Sequence, residues 1–159
     1  MFNVEKYTGD RQKNYELLKK QLHALIHDEK NQIANLSNAA ALLNQFLDRI
    51  NWVGFYLMED GELVLGPFQG LPACVRIPVG KGVCGTAVSK LETQRVADVH
   101  QFPGHIACDA ASQSEIVIPL VKGKEIIGVL DIDSPEKNRF DELDQTMLEE
   151  FTAILVEHL

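Results

Sequence analysis

Three cysteines, Cys74, Cys84 and Cys108, are the residues of this chain best suited to chemistry. A thiol becomes a nucleophile when it is accessible and its pKa is lowered. Cys108 lies in HIACDAASQSE, a stretch without a clear period, and His105 precedes it by three residues. Cys74 opens a short apolar run and Cys84 sits in a glycine-rich loop. Each thus stands at the edge of an element, whereas an inert cysteine that merely fills the core more often lies in mid-strand. One attacking thiol with one or two resolving thiols is the logic of a reductase that passes through a disulfide. An odd number of cysteines behind the opening MFNVEKYTGDRQKNYE, which lacks the basic-then-apolar order of a secretory signal, does not suit a structural disulfide framework.

Two other uses of these residues are weaker. Cys74, Cys84, Cys108 and His105 would make a Cys₃His zinc site, but no C-x₂-C pair is present and the spacings are loose, so no metal is expected. GKGVCG (80–85) fits G-x-G-x-x-G, with Asp98 eighteen residues after Gly80. A dinucleotide fingerprint needs a strand–turn–helix inside a βαβ unit. Pro78 sits just before this loop and the later strands read as hairpins, so no nicotinamide cofactor is expected. A glycine turn that brings backbone amides close to a small anion explains the loop as well.

The acids supply the second half of a possible site. Asp131 and Asp133 flank Ile132 in GVLDIDS, and residues i and i+2 of a strand share a face. Two carboxyls held together raise one another's proton affinity, so that one stays protonated near neutral pH. The bland alternative is a solvated strand end, with Asp133 capping a turn at Ser134 and Pro135. Glu115 begins a neighbouring strand and is placed to join the pair. Trp52 and Tyr56, four apart, point to one side of the first strand, as core or as an apolar wall for a small substrate.

The elements that must position these residues follow from periodicity. Tyr15, Leu18, Leu22, Leu25 and Ile26 recur at helical spacing, as do Ile33, Leu36, Ala40, Leu43 and Leu47. HDEKNQ between them is a turn or a charged patch in one longer helix. The stripes read as core faces, or one of them as a dimer face. From residue 51 strands take over: NWVGFYLME and ELVLGPFQG around an Asp60-Gly61 turn, CVRIPV, TQRVADV, EIVIPLVKG and KEIIGVLDIDS. A short helix follows the glycine loop, and residues 100–114 read as a long functional loop. Met147, Leu148, Phe151, Ile154 and Leu155 mark a last helix, capped near Asp141. Hairpin connections with helices at both ends give an α+β domain, a central antiparallel sheet with N- and C-terminal helices packed on one face.

At 159 residues one domain, 1–159, is expected. Apolar residues are 45% and charged residues 24%, ordinary for a globular protein. Fifteen Lys plus Arg against 23 Asp plus Glu give a net charge of −8, which argues against a nucleic-acid partner and against an anionic membrane surface. No apolar run reaches the roughly 18 residues that would span a bilayer, and a cytoplasmic location is expected.

WVGFYL, LGPFQG, PVGKGVCGTA, RVADVHQFPGHIACD, SEIVIPL and GVLDIDSP together resemble the free methionine-(R)-sulfoxide reductase family, small cytosolic GAF-domain enzymes, from about Trp52 to Pro135. The resemblance implies a GAF fold with the terminal helices on one face of the sheet and the ligand pocket on the other. It implies reduction of the R epimer of free methionine sulfoxide. Cys108 matches the attacking cysteine, Cys74 the one that most often forms the recycling disulfide, and Cys84 the auxiliary third. Glu115, Asp131 and Asp133 match the pocket carboxylates, and Trp52 and Tyr56 the aromatic wall.

The residue chemistry agrees. Thiolate attack on a sulfoxide sulfur needs the oxygen protonated as it leaves, which a carboxylic acid of raised pKa supplies. Glu115 and Asp133 are the candidates to contact that oxygen, and Asp131 orients them or faces the substrate ammonium. The substrate carboxylate is expected against backbone amides between Ile106 and Ala111, at Ile106, Ala107 and Asp109. Attack leaves a sulfenic acid on Cys108, which Cys74 or Cys84 converts to a disulfide that thioredoxin reduces. No cofactor is expected, and a homodimer through the N-terminal helices is possible. The competing readings are a ligand-binding GAF signalling module, for which the chain leaves no output domain, and a thiol redox sensor without reductase turnover.

Overall fold

Asp10 and Asn31 each accept a hydrogen bond from the backbone amide three residues on, Lys13 N at 2.8 Å and Ala34 N at 2.9 Å. These side-chain caps start helices α1 (Arg11–Ile26) and α2 (Gln32–Phe46). HDEKNQ between them is therefore a turn. The computed structural model describes residues 2, 6–106 and 108–159. The strands are β1 (Trp52–Glu59), β2 (Glu62–Gly70), β3 (Arg76–Pro78), β4 (Gln94–Val96), β5 (Ser114–Lys122) and β6 (Glu125–Ser134). Helix α3 (Gly82–Lys90) lies between β3 and β4, and α4 (Glu142–Val156) closes the chain.

The six strands form one antiparallel sheet in the order β3-β2-β1-β6-β5-β4. Asp60 and Gly61 both take positive φ, the two-residue turn that the twist of a hairpin favours. Two prolines within strands sit where no ladder bond is required. Pro67 lies at a register shift between β2 and β1, and Pro119 lies beyond the reach of β4, which pairs only with Glu115–Val117.

Alternation along the strands divides the core in two. Val53, Phe55, Ile116, Ile118, Leu130 and Ile132 face a layer made by α1, α2 and α4. Trp52, Tyr56, Val117 and Val129 face the opposite way, toward Leu63, Ile77 and the apolar side of α3. The fold is α+β as expected, with the terminal helices on one face. Asp141 caps α4 in a reciprocal capping box with Asp144, whose buried carboxylate also accepts from Tyr15 Oη at 2.6 Å and binds α1 to α4.

Three expectations change. Ile33, read as part of the core stripe of α2, is 66% exposed, because the buried face runs through Leu36, Ala39, Ala40 and Leu43. The strand read in TQRVADV is only the three residues of β4. Among its described residues the long loop after it contains a single 3-10 turn, Val99–Gln101, capped by Asp98 through the His100 amide.

Candidate active site

The site lies on the sheet face away from the terminal helices. Register places its side chains in rows across β1, β6 and β5. Asp133 pairs with Trp52 on one side and with Glu115 on the other. Asp131 pairs with Gly54 and Val117 in the next row. Three carboxyls on two adjacent strands thus converge beside Trp52, and the Trp52 and Tyr56 rings stack with centroids 5.9 Å apart.

Burial decides the charge state of this cluster. Glu115 and Asp131 are each only 6% exposed. Burial pushes the Glu115 carboxyl well above the ordinary glutamate range, and the charges of Asp131 and Asp133 push it further. Asp133 is raised for the same first reason, with Asp131 adding to it. Asp131 is raised by burial, opposed in part by hydrogen bonds to Glu115 and Cys84. Like charges this close cannot all ionise in a desolvated site, so the cluster keeps protons at neutral pH.

The third wall is α3. Gly82 opens it with φ of +63°, and a Cβ there would meet Ile106; at Gly85 a Cβ would collide with the Pro78 carbonyl. The glycines of GKGVCG therefore serve a tight strand-to-helix turn. The strand before them is the antiparallel edge strand β3, so the loop does not sit in a parallel βαβ unit. Cys84 falls inside the first turn of α3 rather than in a loop, 4% exposed, and burial pushes its thiol well above the ordinary range. Cys84 Sγ and carboxylate oxygens of Glu115 and Asp131 lie within 4.8 Å of one another.

Cys74 and Cys108 form a disulfide with Cα atoms 5.7 Å apart, closing 34 residues of sequence. Both are half-buried; Cys108 lines the pocket, and Cys74 follows Ala73, which lines it too. Cys74 lies before β3 rather than in it. Its carbonyl accepts from Tyr56 Oη at 2.9 Å, and the Leu71 carbonyl accepts from Trp52 Nε1 at 3.1 Å. Asp109 accepts from Asn51 Nδ2 at 2.9 Å and from the Ala111 amide at 2.9 Å. Ile106 and Asp109 line the cavity, which measures about 40 Å³. Ala107 lies outside the described residues. His105 also lines the cavity, and burial followed by the nearby His100 lowers its pKa, so the imidazole is neutral at pH 7.

The cavity therefore gathers Trp52, Tyr56, Cys84, Ile106, Cys108, Asp109, Glu115, Asp131 and Asp133, with Cys74 bonded to Cys108 at its edge. Sequence reading missed Asn51 and Ser112. Asn51 holds Asp109 and also donates to Ser112 Oγ at 3.1 Å. Neither residue stands in a pattern that marks it, and only the folded loop brings them together. Asp98 stands apart from the site, paired with Lys137 at 3.3 Å.

A six-stranded antiparallel sheet with the terminal helices on one face and a pocket walled by a short helix on the other is the architecture of a GAF domain, and the GAF domain family model matches residues 36–157. Protein YtsP of Bacillus subtilis (strain 168) is 62% identical over 157 residues, covering 98% of this chain and 96% of its own. The free methionine-R-sulfoxide reductase of Escherichia coli (strain K12) is 57% identical over 141 residues, covering 89% and 86%. The X-ray structure of free methionine-R-sulfoxide reductase from Neisseria meningitidis in complex with its substrate matches with a TM-score of 0.95 at 44% identity, covering 99% and 95%. The chain belongs to the free methionine-R-sulfoxide reductase family of GAF-domain enzymes. Among the described residues no helix is long and apolar enough to cross a membrane.

Proposed function

We propose that this protein reduces free methionine-(R)-sulfoxide to methionine, with residues 1–159 acting as one GAF domain. The observation that carries the reading is the disulfide between Cys74 and Cys108 at the edge of a pocket floored by three carboxyls too close and too buried all to ionise. In the reduced protein the Cys108 thiolate attacks the sulfoxide sulfur. Glu115 or Asp133 gives its proton to the sulfoxide oxygen as the S–O bond breaks. The oxygen passes to Cys108 as a sulfenic acid, and methionine leaves. The Cys74 thiol then attacks the Cys108 sulfur, expelling water and forming the disulfide.

The same geometry supports the other assignments. The stacked Trp52 and Tyr56 rings give an apolar wall for the methyl end of the substrate. Ile106, Ala107 and Asp109 belong to the segment proposed to hold the amino-acid end, and Asp131 stands where it can face the ammonium. Turnover needs two electrons returned to the disulfide, which thioredoxin supplies by thiol exchange. That partner places the protein in a reducing compartment, the cytoplasm. Leu71, Val75 and Ile106, exposed at 63%, 60% and 36%, surround the disulfide with apolar surface on which such a protein can seat. A homodimer through the N-terminal helices remains part of the proposal.

The test is product analysis with free R and S epimers and a peptide-bound sulfoxide, each with thioredoxin present. Methionine is expected from the free R epimer alone. Equal turnover of the peptide-bound substrate, or none of the free R epimer, overturns the proposal.

A further inference from the structure

The pocket contains a donor set that the proposed reaction does not use as a unit. Cys84 Sγ, an oxygen of Glu115 and an oxygen of Asp131 lie within 4.8 Å of one another, and all three residues are at least nine-tenths buried. A second feature is independent of that spacing. Among the described residues Asp131 Oδ1 is buried without a hydrogen-bond partner, in a residue that lines the cavity. An unpartnered carboxylate oxygen in a desolvated site is costly unless something fills its coordination.

We infer that Cys84, Glu115 and Asp131 form a binding site for a thiophilic divalent cation of the Zn²⁺ or Cd²⁺ class. One sulfur and two oxygens suit such an ion better than Mg²⁺ or Ca²⁺, which take oxygen alone. Zinc bonds of about 2.0–2.3 Å space tetrahedral donors roughly 3.3–3.6 Å apart. Closing the set around an ion therefore takes side-chain adjustment of about an ångström. A cavity of about 40 Å³ has room for the ion and a water as fourth ligand.

Binding exchanges protons for the ion. The thiol and the two carboxyls lose up to three protons to solvent as one M–S and two M–O bonds form. Affinity therefore climbs with pH. Glu115 and Asp131 are also proposed to face the sulfoxide, so ion and substrate exclude one another; that consequence alone rests on the proposed function.

Cd²⁺ titrated into the disulfide-containing protein tests the site, because Cys84 is then the free thiol among the described residues. One equivalent is expected to bind with the near-ultraviolet absorption of a cadmium thiolate, and Zn²⁺ is expected to displace it. Imidazole pairs such as His23 and His27 give no such band. Cys84→Ser should remove the absorption. Asp131→Asn, which keeps thiol and shape, should weaken binding about tenfold or more and carries the test where the serine variant does not fold. The wild-type affinity should rise about tenfold or more per pH unit. No thiolate band in the wild type, or unchanged Cd²⁺ affinity in Asp131→Asn, overturns the inference. Cadmium binding as described in a protein that turns over no sulfoxide keeps the site and removes the reaction.

Discussion

The Tyr56 hydroxyl donates to the Cys74 carbonyl at 2.9 Å, so the aromatic wall of the pocket also holds the backbone of a disulfide cysteine. Trp52 does the same for Leu71 through its indole N–H. Both residues project from β1 on the pocket side, and their polar tips reach over the cavity to the segment that follows β2. Burial pushes the Tyr56 phenol far above its ordinary range, so it remains a donor at any working pH. Their rings bound the cavity while their tips fix the partner of Cys108.

Tyr56→Phe keeps the ring and removes that hydrogen bond. A bond of this kind contributes about 1 kcal/mol, roughly fivefold if felt wholly in one step. Reduced Tyr56→Phe protein should still form its first equivalent of methionine. Conversion of sulfenic acid to disulfide should slow by several fold, followed by trapping the sulfenic acid over time. Disulfide formation at the wild-type rate would show that Cys74 needs no such hold.

The cysteine roles separate in single turnover. Cys108→Ser should form no methionine. Cys74→Ser should form one equivalent and then recycle poorly with thioredoxin. An unchanged steady-state rate in Cys74→Ser would move the resolving role to Cys84, although Cys84 lies buried in α3 against Asp131.

Most of this architecture was legible in the sequence because it rests on strong periodic signals. The hairpin of β1 and β2 carries an Asp-Gly turn, and β6 ends in two acids spaced to share a face. The pairing of Asp133 with both Trp52 and Glu115 was not legible, since strand order and register are set by tertiary packing. Ile33 misled because apolar spacing alone does not say where a buried face begins. Cys84 misled because a glycine pair at 80 and 82 reads as loop, whereas Gly82 starts a helix. The clamp on Asp109 by Asn51 and Ser112 left no trace, for it joins residues about sixty positions apart through a loop without a period.

The apolar rim around the disulfide makes a partner-specific prediction. Val75 is 60% exposed and adjoins Cys74. Val75→Asp places a charge in the contact area without touching the pocket floor. The thioredoxin-dependent rate should fall about tenfold through a higher KM for thioredoxin. Reduction by a small dithiol such as dithiothreitol should be unaffected. An equal loss with both reductants would mean that the substitution disturbed the disulfide itself.

In the proposed mechanism Glu115 links activity and stability through one proton. Its carboxyl titrates near pH 4.3 in an unfolded chain and well above that in the fold, because burial and the charges of Asp131 and Asp133 oppose ionisation. Above the ordinary value the native state thus binds more protons than the unfolded state. Native stability accordingly falls as pH rises from about 4.3 through the raised folded value. Asp133 and Asp131 contribute in the same direction. Glu115→Gln keeps the size and a hydrogen-bond donor but cannot ionise. Denaturant unfolding across that range should show a smaller loss of stability with pH in the variant than in the wild type. Methionine formation in a single turnover should fall about a hundredfold or more, the ordinary effect of removing a general acid. Parallel stability profiles for the two proteins would show that Glu115 is not held protonated. A Glu115→Gln protein with an unaltered single-turnover rate would pass the proton-donor role to Asp133.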